Sequence, residues 1–207
     1  MPTQRKGMVP PNDPILLRIA EAIPENQITA QSTHILIEKL FQVAYGEQKE
    51  RKKATLVGLA APQAGISKRI ILVDIGADGH GGVSDLRVFI NPEITWTSQE
   101  KATWYEGCFS TDRVCGIVER PISVTVKSYD SKGALEEKQY SGYTARIFQH
   151  EIDHLNGKEF ITHISDENNL HWVEEQEFPS YRDHEFWRTW PNKCSFEKWE
   201  KIKGIRK

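Results

Sequence analysis

The chain reads as an α+β fold in which antiparallel or mixed β-sheets pack around one central helix. Three observations predict it. Strand-like segments fill the stretch before residue 141, the strongest helical segment follows them at 142–156, and that helix is apolar on one flank and polar on another. Runs of strands followed by a major helix suit an α+β arrangement, whereas a doubly wound sheet alternates the two throughout.

Each element has its own signal. Ile28, Ile35, Leu36, Leu40, Phe41 and Ala44 recur at the spacing of one amphipathic helix over residues 28–45. The charge run Glu47–Lys53 reads as a solvated loop or fraying helix end. Arg69–Ile75 is a short apolar run typical of a buried strand, and Asp78–Gly82 is a loop. Arg87–Ile90 is a second strand, stopped by Asn91-Pro92. Ile122, Val124 and Val126 alternate with Ser123, Thr125 and Lys127, the pattern of a half-buried strand. Asp130–Gly133 is then a hairpin turn into Ala134–Tyr140. The helix over 142–156 ends at Asn156-Gly157, a favourable stop.

The 207 residues suffice for one domain with a substantial core and a small appendage. We place the catalytic domain at residues 1–165. Residues 166–207 form a C-terminal extension that is Trp-rich and charged, with Trp172, Trp187, Trp190 and Trp199 in it. Within it Phe196, Trp199 and Ile202 lie three apart among Lys198, Lys201 and Lys203, the spacing of a short amphipathic helix. With 27 basic against 29 acidic residues, nothing in the charge calls for a specific nucleic acid or an anionic membrane as partner. No run approaches the ~20 apolar residues of a membrane span. The first residues lack the apolar stretch of a secretory signal. The cysteines Cys108, Cys115 and Cys194 are sparse and odd in number, which suits a reducing compartment and a cytoplasmic location.

The chemistry lies on the 142–156 helix. His150-Glu151-Ile152-Asp153-His154 is an H-E-x-x-H sequence, and residues four apart share a helix face, so both imidazoles reach one metal ion. Glu151 lies about 100° around from His150, close enough to address a water on that ion. Ala145, Phe148, Ile152 and Leu155 cluster nearly opposite the histidines, with Gln149, Asp153 and Asn156 in a polar wedge between. Such a helix is embedded, with core on one flank and site on the other.

The third ligand separates the classes. A third histidine at the H-E-x-x-H-x-x-G-x-x-H position is excluded, because Phe160 stands there. A downstream carboxylate, Glu174, would make a glutamate-ligand zinc metalloprotease. An upstream thiolate, Cys108, is the other choice, and read alone it is equally a small core hydrophobe.

Val57–Gln63, Glu106–Ser110 and Gln149–His154, in this order and spacing, resemble the three signature motifs of the peptide deformylase family. The likeness runs from about residue 13 to residue 165 and implies a peptide-deformylase-like fold. It implies one divalent ion per chain held by Cys108, His150 and His154, with ferrous iron the usual native ion and zinc, nickel or cobalt as substitutes. The ligand set taken alone favours zinc. The implied reaction removes the N-formyl group from the starting methionine of newly made polypeptides. Hydroxide formed from the metal's water attacks the formyl carbon, with Glu151 as general base and then acid. Gln63, through its side-chain amide, and Phe109, through its backbone N–H, serve the oxyanion. Gly58 and Gly107 contact the substrate, Gly58 giving its backbone room, and Val57, Tyr143 and Ile147 receive the methionine side chain. Glu106 and Arg120 form a structural ion pair beneath the site. N-formylmethionyl nascent peptides are the implied partners, with transient ribosome contact through the basic C-terminal end.

Three features depart from the family pattern, one being that Ser110-Thr111-Asp112 lacks the proline often found in that stretch. Leu56 stands where glycine is usual and is expected to narrow the entrance, and Phe109 replaces leucine and is expected to crowd the mouth. They motivate a second reading, a catalytically silent deformylase-like module that binds chain N-termini.

Overall fold

The computed structural model describes residues 6–46, 56–79 and 84–205. The expected charge-run loop at 47–53 and most of the loop at 78–82 therefore lie outside the described residues.

Helix α1 (Gln31–Tyr45) is followed by strands β1 (Gly58–Ala60), β2 (Ile70–Asp74) and β3 (Leu86–Thr97). Then come β4 (Lys101–Gly107), β5 (Val114–Pro121), β6 (Ser123–Tyr129), β7 (Leu135–Ser141) and helix α2 (Gly142–Leu155). The C-terminal segment adds β8 (Leu170–Trp172) and helices α3 (Phe178–Arg182) and α4 (Phe196–Ile202). The strands form a five-stranded sheet in the order β1-β2-β3-β6-β7 and a three-stranded sheet in the order β4-β5-β8. Every pairing between these strands, among the described residues, is antiparallel.

Burial explains the layering. Ile70 and Leu72 of β2 pack with Ile37, Leu40 and Val43 of α1, while Ile71 and Val73 face Ala145, Phe148, Ile152 and Leu155 of α2. A strand covered on both faces needs apolar residues at every position, hence the unbroken run in β2. Helix α2 thus lies with its apolar flank on the larger sheet and its other flank toward the smaller one. In the smaller sheet, Val114 and Val118 of β5 face a cluster containing Cys108 and Phe160, and Cys115 and Ile117 face the opposite side. That opposite side is covered by Tyr181, Trp187 and Trp190. Trp199 of α4 joins the Cys108 cluster, so the C-terminal segment packs on both faces of the smaller sheet.

Three expectations need correction. Asn91-Pro92 does not stop the strand, because β3 continues to Thr97 through a register shift between Ile90 and Glu93. Asn91 takes φ 50°, and its amide bonds the Ile23 backbone twice, donating to its O at 2.7 Å and accepting from its N at 2.9 Å. A bulge accommodates both the proline and this turn of the backbone. Ile35 is 59% exposed, because the buried face of α1 is the one carrying Ile37, Leu40, Val43 and Ala44. Leu56 does not line an entrance, since it is buried among the α1 and β2 residues. Phe109 is half-buried against that same cluster. The hairpin is as expected: Gly133 at φ 83° donates to Asp130 O, and Asp130 Oδ1 accepts from the N–H of Lys132 and Ala134.

Candidate metal centre

Two adjacent stripes of α2 build the site. Residues four apart along a helix stack on one face. Arg146, His150 and His154 form one stripe, directed at β4 and β5. Tyr143, Ile147 and Glu151 form the next, directed at β1 and Gly79. The loop after β4 brings Cys108 over the first stripe. Thr111 fixes that loop, its hydroxyl donating to Cys108 O at 2.8 Å and to Val114 O at 2.9 Å.

One ligand atom from each of Cys108, His150 and His154 lies within 4.8 Å of the others. Cys108 Sγ is 3.3 Å from His154 Nε2. A sulfur and two imidazole nitrogens converging in a buried pocket fit a divalent cation of the zinc or iron type. The buried Nδ1 of His154 and Oε2 of Glu151 have no hydrogen-bond partner among the described residues. Burial is the largest cause holding the pKa of His154 well below its ordinary value. Burial pushes the Glu151 carboxyl up to about 7.

Behind His150 lies a buried charge network. Glu106 Oε2 accepts from His150 Nδ1 at 2.9 Å, which turns Nε2 toward the sulfur. Arg120 binds Glu106 in a fork, Nε to Oε1 at 2.6 Å and Nη2 to Oε2 at 2.9 Å, as the expected ion pair requires. Burial alone would raise the pKa of Glu106, but Arg120 and His150 outweigh it and hold the carboxylate well below its usual range. Arg146 Nη1 also donates to Glu106 Oε1, at 2.7 Å. Arg120 also reaches Asp153 Oδ2 at 2.8 Å, which in turn meets His163 Nε2 at 2.8 Å. Sequence reasoning misses Arg146, Asp153, His163 and Ser110 as parts of the site. Arg146 carries a usable signal, since it sits one helical turn before His150 on the same face.

Of the remaining candidates, Gln63 reaches Cys108 directly and Gly58 lies against Glu151. Gln63 is buried, its Oε1 accepts from Ala60 N at 2.8 Å, and its Nε2 donates to Cys108 Sγ at 3.0 Å and to Ser110 Oγ at 3.1 Å. Phe109 opens the 3₁₀ turn directly after Cys108, and Gly107 ends β4 opposite Cys115. Gly58 lies against Ile147 and Glu151, and Tyr143 lies against Gly79. Half-buried Val57 packs beside the α2 cluster, its carbonyl accepting from Asp74 N at 2.8 Å. Phe160, the residue that excludes a third histidine, stacks on His150 at 6.1 Å between ring centroids. Glu174 is elsewhere: its carboxylate pairs with Arg113 and accepts from Trp172 Nε1 at 2.7 Å. It is not among the residues that converge at the centre, so the glutamate-ligand reading fails.

Comparison with known proteins agrees with this geometry. A family model described as polypeptide deformylase matches residues 6–170. The peptide deformylase of Cellvibrio japonicus is 38% identical over 153 residues, covering 74% of this chain and 82% of that protein. The match to the Polynucleobacter necessarius peptide deformylase is 44% identical over 109 residues, yet covers 53% of this chain and only 61% of that relative's length. Among solved structures, a Met-Ala-Ser-bound class I type b peptide deformylase from Acinetobacter baumannii has a TM-score of 0.66 at 34% identity, over 73% of this chain and 93% of that one. A Plasmodium falciparum peptide deformylase complex with inhibitor has a TM-score of 0.62 at 32% identity, over 92% of this chain and 94% of that one. With the family model spanning most of the sequence and one sulfur and two imidazoles drawn together at one point, this chain belongs to the polypeptide deformylase family.

Proposed function

We infer that the chain hydrolyses the N-formyl group from the N-terminal methionine of newly made polypeptides, releasing formate and a free amine. The observation that carries this reading is the convergence of Cys108, His150 and His154 within 4.8 Å, with Glu151 buried beside them. A divalent cation held by those three side chains would lower the pKa of water and polarise the formyl oxygen. Ferrous iron is the resident ion we assign from the family resemblance, with zinc, nickel or cobalt able to occupy the same ligands; metal analysis of anaerobically purified protein tests it.

The chain's own groups divide the remaining work. Glu151, its carboxyl pushed up to about 7 by burial, takes the proton of the attacking water and returns it to the departing amine nitrogen. Gln63 is held with its amide nitrogen toward the centre, because Ala60 N–H occupies its oxygen. Donation from Gln63 to an oxyanion exchanges one of its present bonds, to Cys108 or Ser110. Phe109 contributes its backbone N–H as the second donor; a single donor of this kind is worth about 3–4 kcal/mol. Gly58 and Gly107 border the substrate chain, and Val57, Tyr143 and Ile147 line the side of the cleft that takes methionine. The catalytic unit, placed at residues 1–165, is continued by 166–207, which adds β8 to the smaller sheet and covers both its faces.

No helix of the described residues is long and apolar enough to cross a membrane. A cytoplasmic site of action follows from the proposed substrate, the nascent chain. Ribosome contact has narrower support, because Lys203 is buried against Glu159, Lys198 lies over Trp172, and Lys201 pairs with Glu197. Co-sedimentation of Lys198→Glu/Lys201→Glu protein with ribosomes tests it; unchanged association removes the α4 reading. The silent-module alternative loses one of its two supports, because Leu56 is in the core.

Formate release from formyl-Met-Ala by anaerobically purified, iron-loaded protein is the test, with Glu151→Gln as control. Turnover well above the control is expected. Turnover no higher than the control overturns the reading.

A further inference from the structure

Gly58 does not owe its identity to backbone conformation. Its φ lies outside the left-handed region, and it pairs with Val73 as an ordinary strand residue. Alanine would suit that backbone at least as well. Space is the reason for glycine. A Cβ at this position would stand 2.4 Å from Glu151 Oε1, 3.0 Å from Glu151 Cδ and 2.8 Å from Ile147 Cγ2.

Those two neighbours are one helical turn apart on α2, and they respond differently to crowding. Ile147 is β-branched, 5% exposed and packed in the cluster between α2 and the larger sheet, so it has little freedom to turn. Glu151 ends in a carboxylate on an unbranched stem, and its Oε2 has no hydrogen-bond partner among the described residues. Under pressure from a methyl group at residue 58, the carboxylate is the group that moves. The direction open to it is away from β1.

We propose that Gly58 is a positioning residue for Glu151: the space left by its missing side chain is the berth in which that carboxylate lies. This rests on the reading of Glu151 as general base. It departs from the expectation that Gly58 is glycine solely to admit the substrate backbone, since the space is occupied by the enzyme's own carboxylate.

The test compares Gly58→Ala, Glu151→Asp and the double variant, all metal-loaded and checked for one ion per chain. Aspartate is one methylene shorter and vacates the space that Glu151 takes, while the contact with Ile147 Cγ2 at 2.8 Å stays the same in both backgrounds. Gly58→Ala is expected to lower kcat by as much as about 10²-fold, the scale of a 1 Å misplacement, with KM little changed. Its Kd for the unformylated peptide Met-Ala-Ser, read by calorimetry, changes far less than kcat does, because the berth serves the carboxylate more than the peptide. Added to Glu151→Asp, Gly58→Ala costs clearly less than it does alone. A rise in KM and in the Met-Ala-Ser Kd with kcat retained overturns the proposal, as does a full multiplicative loss in the double variant. If Gly58→Ala alone does not fold, the double variant against Glu151→Asp carries the comparison. Failure of the general-base reading looks different: Glu151→Gln then keeps wild-type turnover.

Discussion

Replacing Glu106 by glutamine isolates what the buried network does for the metal centre. The Glu106 side chain is 3% exposed and lies between Arg120 at 4% and Arg146 at 9%. With Asp153 at 16% as the second carboxylate, two anions balance two guanidinium groups. Glutamine keeps the shape, removes one charge, and turns one accepting oxygen into a donor that must face Arg120 or His150. Removing one partner of a buried ion pair costs about 3–5 kcal/mol. For a chain of this size each kcal/mol is about 2–4 °C, so Tm should fall by roughly 6–20 °C. His150 also loses the acceptor that orients its ring, which should weaken metal affinity about 10–100-fold. Thermal unfolding of the metal-loaded protein reads the first effect, and competition with a chelator reads the second. A Tm within about 2 °C of wild type, with affinity within about threefold, would refute the coupling between this network and the centre.

Further perturbations address the rest of the molecule. Lys203→Met strands Glu159, whose oxygens lie 3.1 and 3.0 Å from the lysine nitrogen, and should cost about 3–5 kcal/mol in urea unfolding; adding Glu159→Gln should return much of it, and no recovery would mean packing rather than charge is lost. Burial and then Lys193 depress the pKa of His171 from 6.5 to about 4, so the unfolded chain binds the extra proton and stability falls as pH drops through that window. His171→Asn should flatten that limb in urea titrations at stepped pH, and an unchanged slope would place the acid sensitivity elsewhere. Asn91→Ala removes both amide bonds to Ile23 and leaves a side chain at positive φ, at roughly 2–3 kcal/mol; a loss under about 0.5 kcal/mol would show that the bulge does not depend on them.

What the sequence reveals depends on which faces of an element are buried. Helix α2 is legible because its two flanks differ sharply, apolar toward the larger sheet and ligating toward the smaller one. Strand β2 is legible as an unbroken apolar run, and the β6–β7 hairpin by its alternation and turn. The pair β4–β5 is hidden, although with its connecting loop it supplies Glu106, Cys108 and Arg120. Charged residues at buried positions, Glu106 and Arg120, break the apolar pattern that a core strand would otherwise show. The same two residues become recognisable only through the resemblance, and Arg146 is missed because its partner is remote in sequence. Leu56 and Asn91-Pro92 mislead for a different reason: each is read as a local signal, and tertiary contacts decide both.

The central claim is that one sulfur and two imidazoles hold a single cation, and cobalt(II) substitution tests it most directly. The wild-type protein should bind one Co2+ per chain and show a thiolate-to-cobalt charge-transfer absorption. That band should vanish in Cys108→Ser and remain in Glu174→Ala. A band that survives the loss of Cys108, or a site that empties when Glu174 is changed, would contradict it.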